Sequence, residues 1–216
     1  MHSYWQERYF QGGRIWGDKP SPTAVLAADL FKRYEVQRVL VPGAGYGRNA
    51  ALLAQAGFTV TGVEISEEAI RLAKQITPGL TYLHGSFLEV PLERGAYDAV
   101  YCFNVLHLFL KADRQHFMQR CRDCLRDGGL VFAAVFSDEE LSYGRGPRLE
   151  ENTFESKEGR PVHYFSAADL DGHFQGFDIL ERGLVYEPEE HGSQGPHVHH
   201  LRYVAAARRP LRGFDG

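Results

Sequence analysis

The chain has 216 residues, 44% of them hydrophobic and 24% charged, enough to bury a core and few enough for one domain. Its formal net charge of −4 offers no global electrostatic basis for binding nucleic acid or an anionic membrane, so a small-molecule partner fits better. Three cysteines, Cys102, Cys121 and Cys124, cannot make a paired disulfide framework, no apolar run approaches a membrane span, and "MHSYWQERYFQGG" has no signal-peptide core; the expectation is a cytoplasmic protein with reduced thiols.

In chain order, "SPTAVLAADLFKRY" from Ser21 shows helical apolar spacing at Val25, Leu26, Leu30 and Phe31, with Pro22 suited to a first turn. "RVLVP" reads as a buried strand running into a glycine-rich turn, and "RNAALLAQAG" as a helix closed by Gly57. The pattern repeats: strand "FTVTGVE", helix "SEEAIRLAKQI" with Ser66 as N-cap, strands "LTYLHG" and "YDAVYCF", helix "DRQHFMQRCRDCL", strand "GLVFAAVF". Such alternation predicts a parallel sheet covered on both faces. Residues 138–162 then read as an irregular insert, too long for an ordinary connection and so expected near the site. A helix at "SAADLDGHF", with Ser166 and Asp169 in capping-box spacing, precedes the strands "FDILERGLVY" and "HHLRYVAAARR", which suggest an antiparallel hairpin.

The turn "VLVPGAGYGRNA", residues 39–50, spaces Gly43, Gly45 and Gly47 as GxGxG and not as the GxGxxG of dinucleotide binders. Without side chains its backbone can approach a ligand closely, and the helix starting near Gly47 offers unpaired N–H groups to an anion. Glu64 ends the next strand, where an acid can accept hydrogen bonds from both ribose hydroxyls. Turn, acid, strand and helix together point to an adenosine-containing cofactor.

At these residues the chain resembles a known family. "VLVPGAGYGRNAALLAQAGFTVTGVEIS" is similar to the nucleotide half of class I S-adenosylmethionine-dependent methyltransferases, and "GRNA", "VLHLFL" and "GGRIWGDKPSPTA" resemble their small tellurite-resistance and thiopurine methyltransferase-like branch. The likeness covers most of residues 12–136. It implies a single α/β domain over residues 1–216: a Rossmann-like, seven-stranded, mostly parallel sheet with helices on both faces and an antiparallel last strand. It further implies methyl transfer from S-adenosylmethionine, with S-adenosylhomocysteine released, to a small acceptor. A thiol or a tellurium or selenium oxyanion is favoured, and other small nucleophiles stay open.

The resemblance also implies roles for residues. Gly43, Ala44, Gly45 and Gly47, followed by Arg48, meet the methionine part, Glu64 the ribose and Ile65 the adenine. Ser86 and Phe87 match a position that usually carries an acid and then an apolar residue beside the adenine; here Ser86 replaces the acid. Phe103 and Asn104 match the stretch along the methionine. Trp16 lies in a lid-like segment, residues 1–20, and either covers the sulfonium or anchors the N-terminus.

Methyl transfer requires alignment and exclusion of water, while a base is needed only for acceptors that must lose a proton. His107 follows the fourth strand and either faces the acceptor or caps locally. Cys121 and Cys124, at i, i+3 without a second ligand pair, read as packing and not as zinc ligands, and no metal site is expected. Arg145, Arg148 and Arg160 either meet an anionic acceptor or sit in a solvated loop.

"EEHGSQGPHVHH", residues 189–200, holds four of the ten histidines. An antiparallel last strand would put this stretch, with Glu187 and Glu189, at the ligand-binding edge of the sheet, with His197 and His199 on one side and His200 on the other. Three readings are open: His197 and His199 line the acceptor pocket with His163 nearby; they bind a metal with Glu189 or His191; or they are structural. An NAD-dependent oxidoreductase is a rival, opposed by the GxGxG spacing and the lack of a Ser, Tyr and Lys arrangement. A non-catalytic S-adenosylmethionine-binding module is the other.

Overall fold

Burial of the central strands on both faces sets the architecture. In the computed structural model, which describes residues 2–190 and 195–210, a seven-stranded sheet runs in the order β3-β2-β1-β4-β5-β10-β9. Its strands are β1 (Arg38–Pro42), β2 (Thr59–Glu64), β3 (Thr81–His84), β4 (Tyr97–Phe103), β5 (Leu125–Phe136), β9 (Phe177–Glu190) and β10 (Pro196–Arg208). The first five are parallel, and β10 is antiparallel to both β5 and β9. Successive side chains of a strand face opposite sides, so Val100 and Cys102 of β4 join one core while Ala99 and Tyr101 join the other.

The second of those cores is capped by α2 (Pro22–Arg33) and α3 (Arg48–Gln55), the first by α5 (Lys111–Cys124) and α6 (Ala167–His173). Cys121 and Cys124 belong to the α5 core, as packing residues. The expected caps form at Ser66 and Ser166, whose Oγ atoms accept from the Ala69 and Asp169 backbone N–H groups and open α4 (Glu67–Ile76) and α6; Ser21, not singled out in the sequence, caps α2 in the same way through the Thr23 N–H. Among the described residues no helix is long and apolar enough to cross a membrane.

Two segments depart from the sequence expectation. Residues 2–12, for which periodicity offers no element, form helix α1 (His2–Gly12) packed on α4. Its inner face is aromatic, and its partners Trp16 and Tyr46 lie far along the chain, so no local pattern announces it. The insert 138–162 is not irregular throughout: β6 (Arg148–Glu150), β7 (Thr153–Lys157) and β8 (Arg160–His163) make a second, antiparallel sheet. Strands of three to five residues carrying Arg, Glu and Lys give too little alternation to read.

Candidate active site

The carboxyl ends of β1, β2, β4 and β5 open into a cavity of about 990 Å3, closed by α1, the small sheet and the head of β10. Its floor is the glycine turn. Gly43 and Gly45 have φ of 60° and 56°, the left-handed region that disfavours side chains. A Cβ at Gly43 would overlap Val105, and one at Gly45 would stand 2.9 Å from the Tyr9 hydroxyl oxygen. The backbone N–H of Ala44 donates to the Val63 carbonyl at 3.1 Å, joining the turn to β2, and Gly47, in the left-handed region, caps α3.

Glu64 lies at the end of β2, 5% exposed. Its carboxylate accepts from the N–H groups of Gly45 at 2.8 Å and Ser66 at 2.9 Å. Burial raises its pKa, against the pull of the Ser66, Gly45 and Ile65 N–H groups. Each oxygen keeps a further lone pair for a donor such as a hydroxyl.

Arg48 borders the cavity with its charge already used. It donates to the Trp16 and Lys19 carbonyls, both at 3.1 Å, pairs with Glu189 at 3.0 Å and Glu187 at 3.8 Å, and stands 5.6 Å above the Phe103 ring. Both acids that the sequence brings to this edge therefore tether the N-terminal segment to β9; Glu187 also accepts from Ser21 Oγ at 2.6 Å. Trp16 stacks on Tyr46, 6.2 Å between centroids, and its backbone N–H donates to the Tyr46 hydroxyl, which donates to the Gly17 carbonyl. Tyr9 meets both rings edge-on, and Trp5 stands 6.0 Å from Trp16. Trp16 thus anchors the N-terminal segment, and four aromatic rings wall the cavity above the glycine turn.

Ile65, Ser86 and Phe87 line the cavity beyond Glu64. Ser86 Oγ accepts from Leu88 N–H at 3.2 Å, and Phe87 packs on Phe117 at 4.5 Å. At the end of β4, Asn104 adopts φ 54°, tolerated by Asn, and its Oδ1 is buried without a hydrogen-bond partner. A diol at Glu64, an N–H donor at Asn104 Oδ1 and a cation against the aromatic wall would each meet a matching group.

The other half of the cavity is histidine-rich. His107, in a 3₁₀ turn at 106–108, is 3% exposed and stacked on Phe136 at 4.4 Å; its Nδ1 is buried without a partner. Burial, with Arg160, His199 and His163, pushes its pKa well below 6.5, so the ring is neutral. His197 and His199 share one side of β10 and face the cavity, while His200 packs edge-on against Tyr186 at 5.0 Å. His199 Nδ1 donates to Glu140 Oε1 at 3.0 Å and His197 Nδ1 to the Gly195 carbonyl at 2.9 Å. Burial raises the Glu140 pKa, but hydrogen bonds from His199 and the His200 N–H outweigh it, so the carboxylate is ionised and can only accept. Both rings thus point Nδ1 at an acceptor, and their Nε2 atoms face each other at 3.3 Å on the cavity side.

Other expectations land elsewhere. His163 does not line the cavity: β8 turns it toward Thr153 at 2.8 Å and Asp169 at 2.6 Å, which occupy both ring nitrogens. Arg145 and Arg160 do line it, whereas the Arg148 Nε donates to the Glu150 carbonyl. His191 lies outside the described residues. Among the described residues no group of three or more His, Cys, Asp or Glu is placed to hold a metal ion. Trp5, Arg8, Tyr9, Tyr46 and Glu140 escaped the sequence reading; only the i, i+4 pair Trp5 and Tyr9 left a local trace.

Residues 40–133 match the model of a methyltransferase domain family. A probable S-adenosylmethionine-dependent methyltransferase of Mycolicibacterium smegmatis is 30% identical over 183 residues, 76% of this chain and 70% of that one. Among solved structures, the 1,6-didemethyltoxoflavin-N1-methyltransferase of Burkholderia thailandensis, with S-adenosylhomocysteine bound, has a TM-score of 0.73 at 20% identity, covering 97% of this chain and 87% of that one. An S-adenosylmethionine-dependent methyltransferase of Methanosarcina mazei has a TM-score of 0.71 at 18% identity, over 84% and 98%. These two likenesses concern the fold.

Proposed function

This chain belongs to the class I S-adenosylmethionine-dependent methyltransferases, and from that premise we propose that its methyl acceptor is a small protic nucleophile, a thiol first, deprotonated by the His197–His199 pair. Bound S-adenosylmethionine supplies an electrophilic methyl on a sulfonium sulfur. Gly43, Ala44, Gly45 and Gly47 hold its methionine part, Asn104 Oδ1 accepts from its ammonium, and Glu64 accepts from its ribose hydroxyls. Ile65, Ser86 and Phe87 flank the adenine. Trp16 and Phe103, kept in place by Arg48, exclude water.

The observation that carries the acceptor reading is the facing of the two Nε2 atoms at 3.3 Å. With Nδ1 of each ring donating to a fixed acceptor, both Nε2 atoms turn toward one position, so a proton taken from the acceptor is held between the rings and balanced by Glu140. A tellurium or selenium oxyanion, the other acceptor the resemblance suggests, need lose no proton for its chalcogen lone pair to attack, and the pair weighs toward the thiol. His107, neutral and half a ring stack away through Phe136, positions His199 through that shared stack.

A labelled-methyl assay over thiols, selenite, tellurite, amines and phenols tests this. Turnover is expected on thiols, and His199→Ala should lower kcat at neutral pH by about 10²-fold, the loss closing as pH rises and the thiol ionises unaided. An unchanged kcat would remove the base; turnover on selenite or tellurite alone would remove the thiol.

A further inference from the structure

Acids and bases are unequal around the acceptor half. Four carboxylates border the cavity, and three have partners: Glu64 the backbone N–H groups, Glu189 the Arg48 guanidinium, Glu140 the His199 ring. The fourth, Asp113, is exposed at the start of α5. Besides Arg48, four cations border the same space, Arg8, Arg145, Lys157 and Arg160, and none makes an ion pair among the described residues.

Two of these cations are half-buried. The Arg160 guanidinium donates from Nε and Nη2 to Ser156 Oγ, at 3.1 and 2.9 Å, and lies 5.8 Å above the Tyr4 ring. Arg8 lies 6.0 Å above Trp16, and its Nε is buried without a hydrogen-bond partner. Burial lowers the Arg160 pKa most; Tyr4 opposes that, and Arg8, a like charge close by, adds to it. Two partly desolvated guanidiniums that repel each other are costly to hold together, and a planar oxyanion offers the forked acceptor geometry that relieves both. The protein is acidic overall, so this surplus is local to the cavity and steers anions into it.

We propose that Arg160 and Arg8 form an anion subsite and that the methyl acceptor carries a carboxylate beside its nucleophile. The proposal rests on the reading of this half of the cavity as the acceptor's. The cofactor's own carboxylate is a second source of the same chemistry. Arg160 is assigned to the acceptor because it rises from β8 with Ser156 and Lys157 beside it and acts on His107, a group of the histidine-rich half. Arg145 and Lys157 extend the positive rim outward.

Binding tests this without knowledge of the natural acceptor. The protein saturated with S-adenosylhomocysteine is titrated calorimetrically with benzoate and with its neutral isostere benzamide, then again as Arg160→Met and Arg160→Lys. Benzoate should bind at least about 10-fold more tightly than benzamide, Arg160→Met should weaken benzoate about 10- to 100-fold, and Arg160→Lys should restore part of it. The affinity for S-adenosylhomocysteine should change less than about threefold. Equal binding of the two probes by the unmodified protein overturns the proposal, whatever the variants do. So does benzoate affinity that survives Arg160→Met. A fall in S-adenosylhomocysteine affinity as large as the fall for benzoate also overturns it, and gives Arg160 to the cofactor's carboxylate. Failure of the base reading would appear in the turnover of His199→Ala, which none of these titrations measures.

Discussion

His107 shows what burial does to a single residue. Its folded pKa lies well below 6.5, the value it has when exposed in the unfolded chain. Between those two values the unfolded state binds a proton that the folded state refuses, so stability rises with pH there and is lost as pH falls below about 6.5, by up to about 1.4 kcal/mol per pH unit for one such residue. His173 adds to the same trend: burial lowers its pKa, and Asp169 only partly opposes that. Glu140 and Asp169, whose pKa values are depressed below 4.5 and 3.8, contribute their loss at lower pH and leave this window clear. Denaturant melts between pH 5 and 7.5 should therefore show a shallower slope for His107→Phe, which can keep the stack on Phe136; an unaltered slope would show that His107 takes up its proton in the folded state. The sequence placed His107 after the fourth strand. Its orphaned Nδ1 and the Phe136 stack depend on β5 and could not be read there.

Among the elements, α1 joins fold to function most directly. Eleven residues with no acidic first turn and no basic last turn make a marginal helix in isolation. It is held by Trp5 and Tyr9 against Trp16 and Tyr46, and by Gln6, whose Oε1 accepts from the Ser66 hydroxyl at 2.9 Å. Because Tyr9 seats directly over Gly45, undocking α1 would open the cofactor end of the cavity. Tyr9→Ala should weaken S-adenosylhomocysteine binding about 10-fold and remove any protection that the ligand gives to amides of residues 2–12 in hydrogen exchange. Unchanged affinity would make α1 a packing element alone. Neither α1 nor the small sheet was legible in the sequence, for one reason: each is stabilised by partners distant in the chain, and its own composition is polar or aromatic without a period. The strands of the large sheet were legible because burial on both faces demands the apolar runs "RVLVP" and "GLVFAAVF".

For the whole molecule, the glycine turn and Glu64 predict which ligand the native state recognises. A ligand that binds only the folded chain at 100 times its Kd adds about 2.7 kcal/mol, worth roughly 5–10 °C in Tm for a domain of this size. S-adenosylhomocysteine should give such a shift and NAD should not. Glu64→Ala should abolish most of it, since the buried carboxylate is the group proposed to accept from the ribose hydroxyls. Stabilisation by NAD instead would contradict the cofactor assignment.

The sequence by itself determined the alternating α/β order, the helix caps at Ser66 and Ser166, the glycine turn and its acid, and the edge of the sheet to which the histidines come. All of these rest on local patterns: period, cap spacing, and the demand of a strand-to-helix turn for glycine. Only the tertiary structure decided which groups the histidines meet there. The facing of His197 and His199 is fixed by the hydrogen bond from His199 to Glu140, 59 residues away in sequence, and the proposed cationic subsite joins Arg8 of α1 to Arg160 of β8. Hydrogen bonds and charges act through space, and a chain of residues fixes their partners only once the sheet has folded them together.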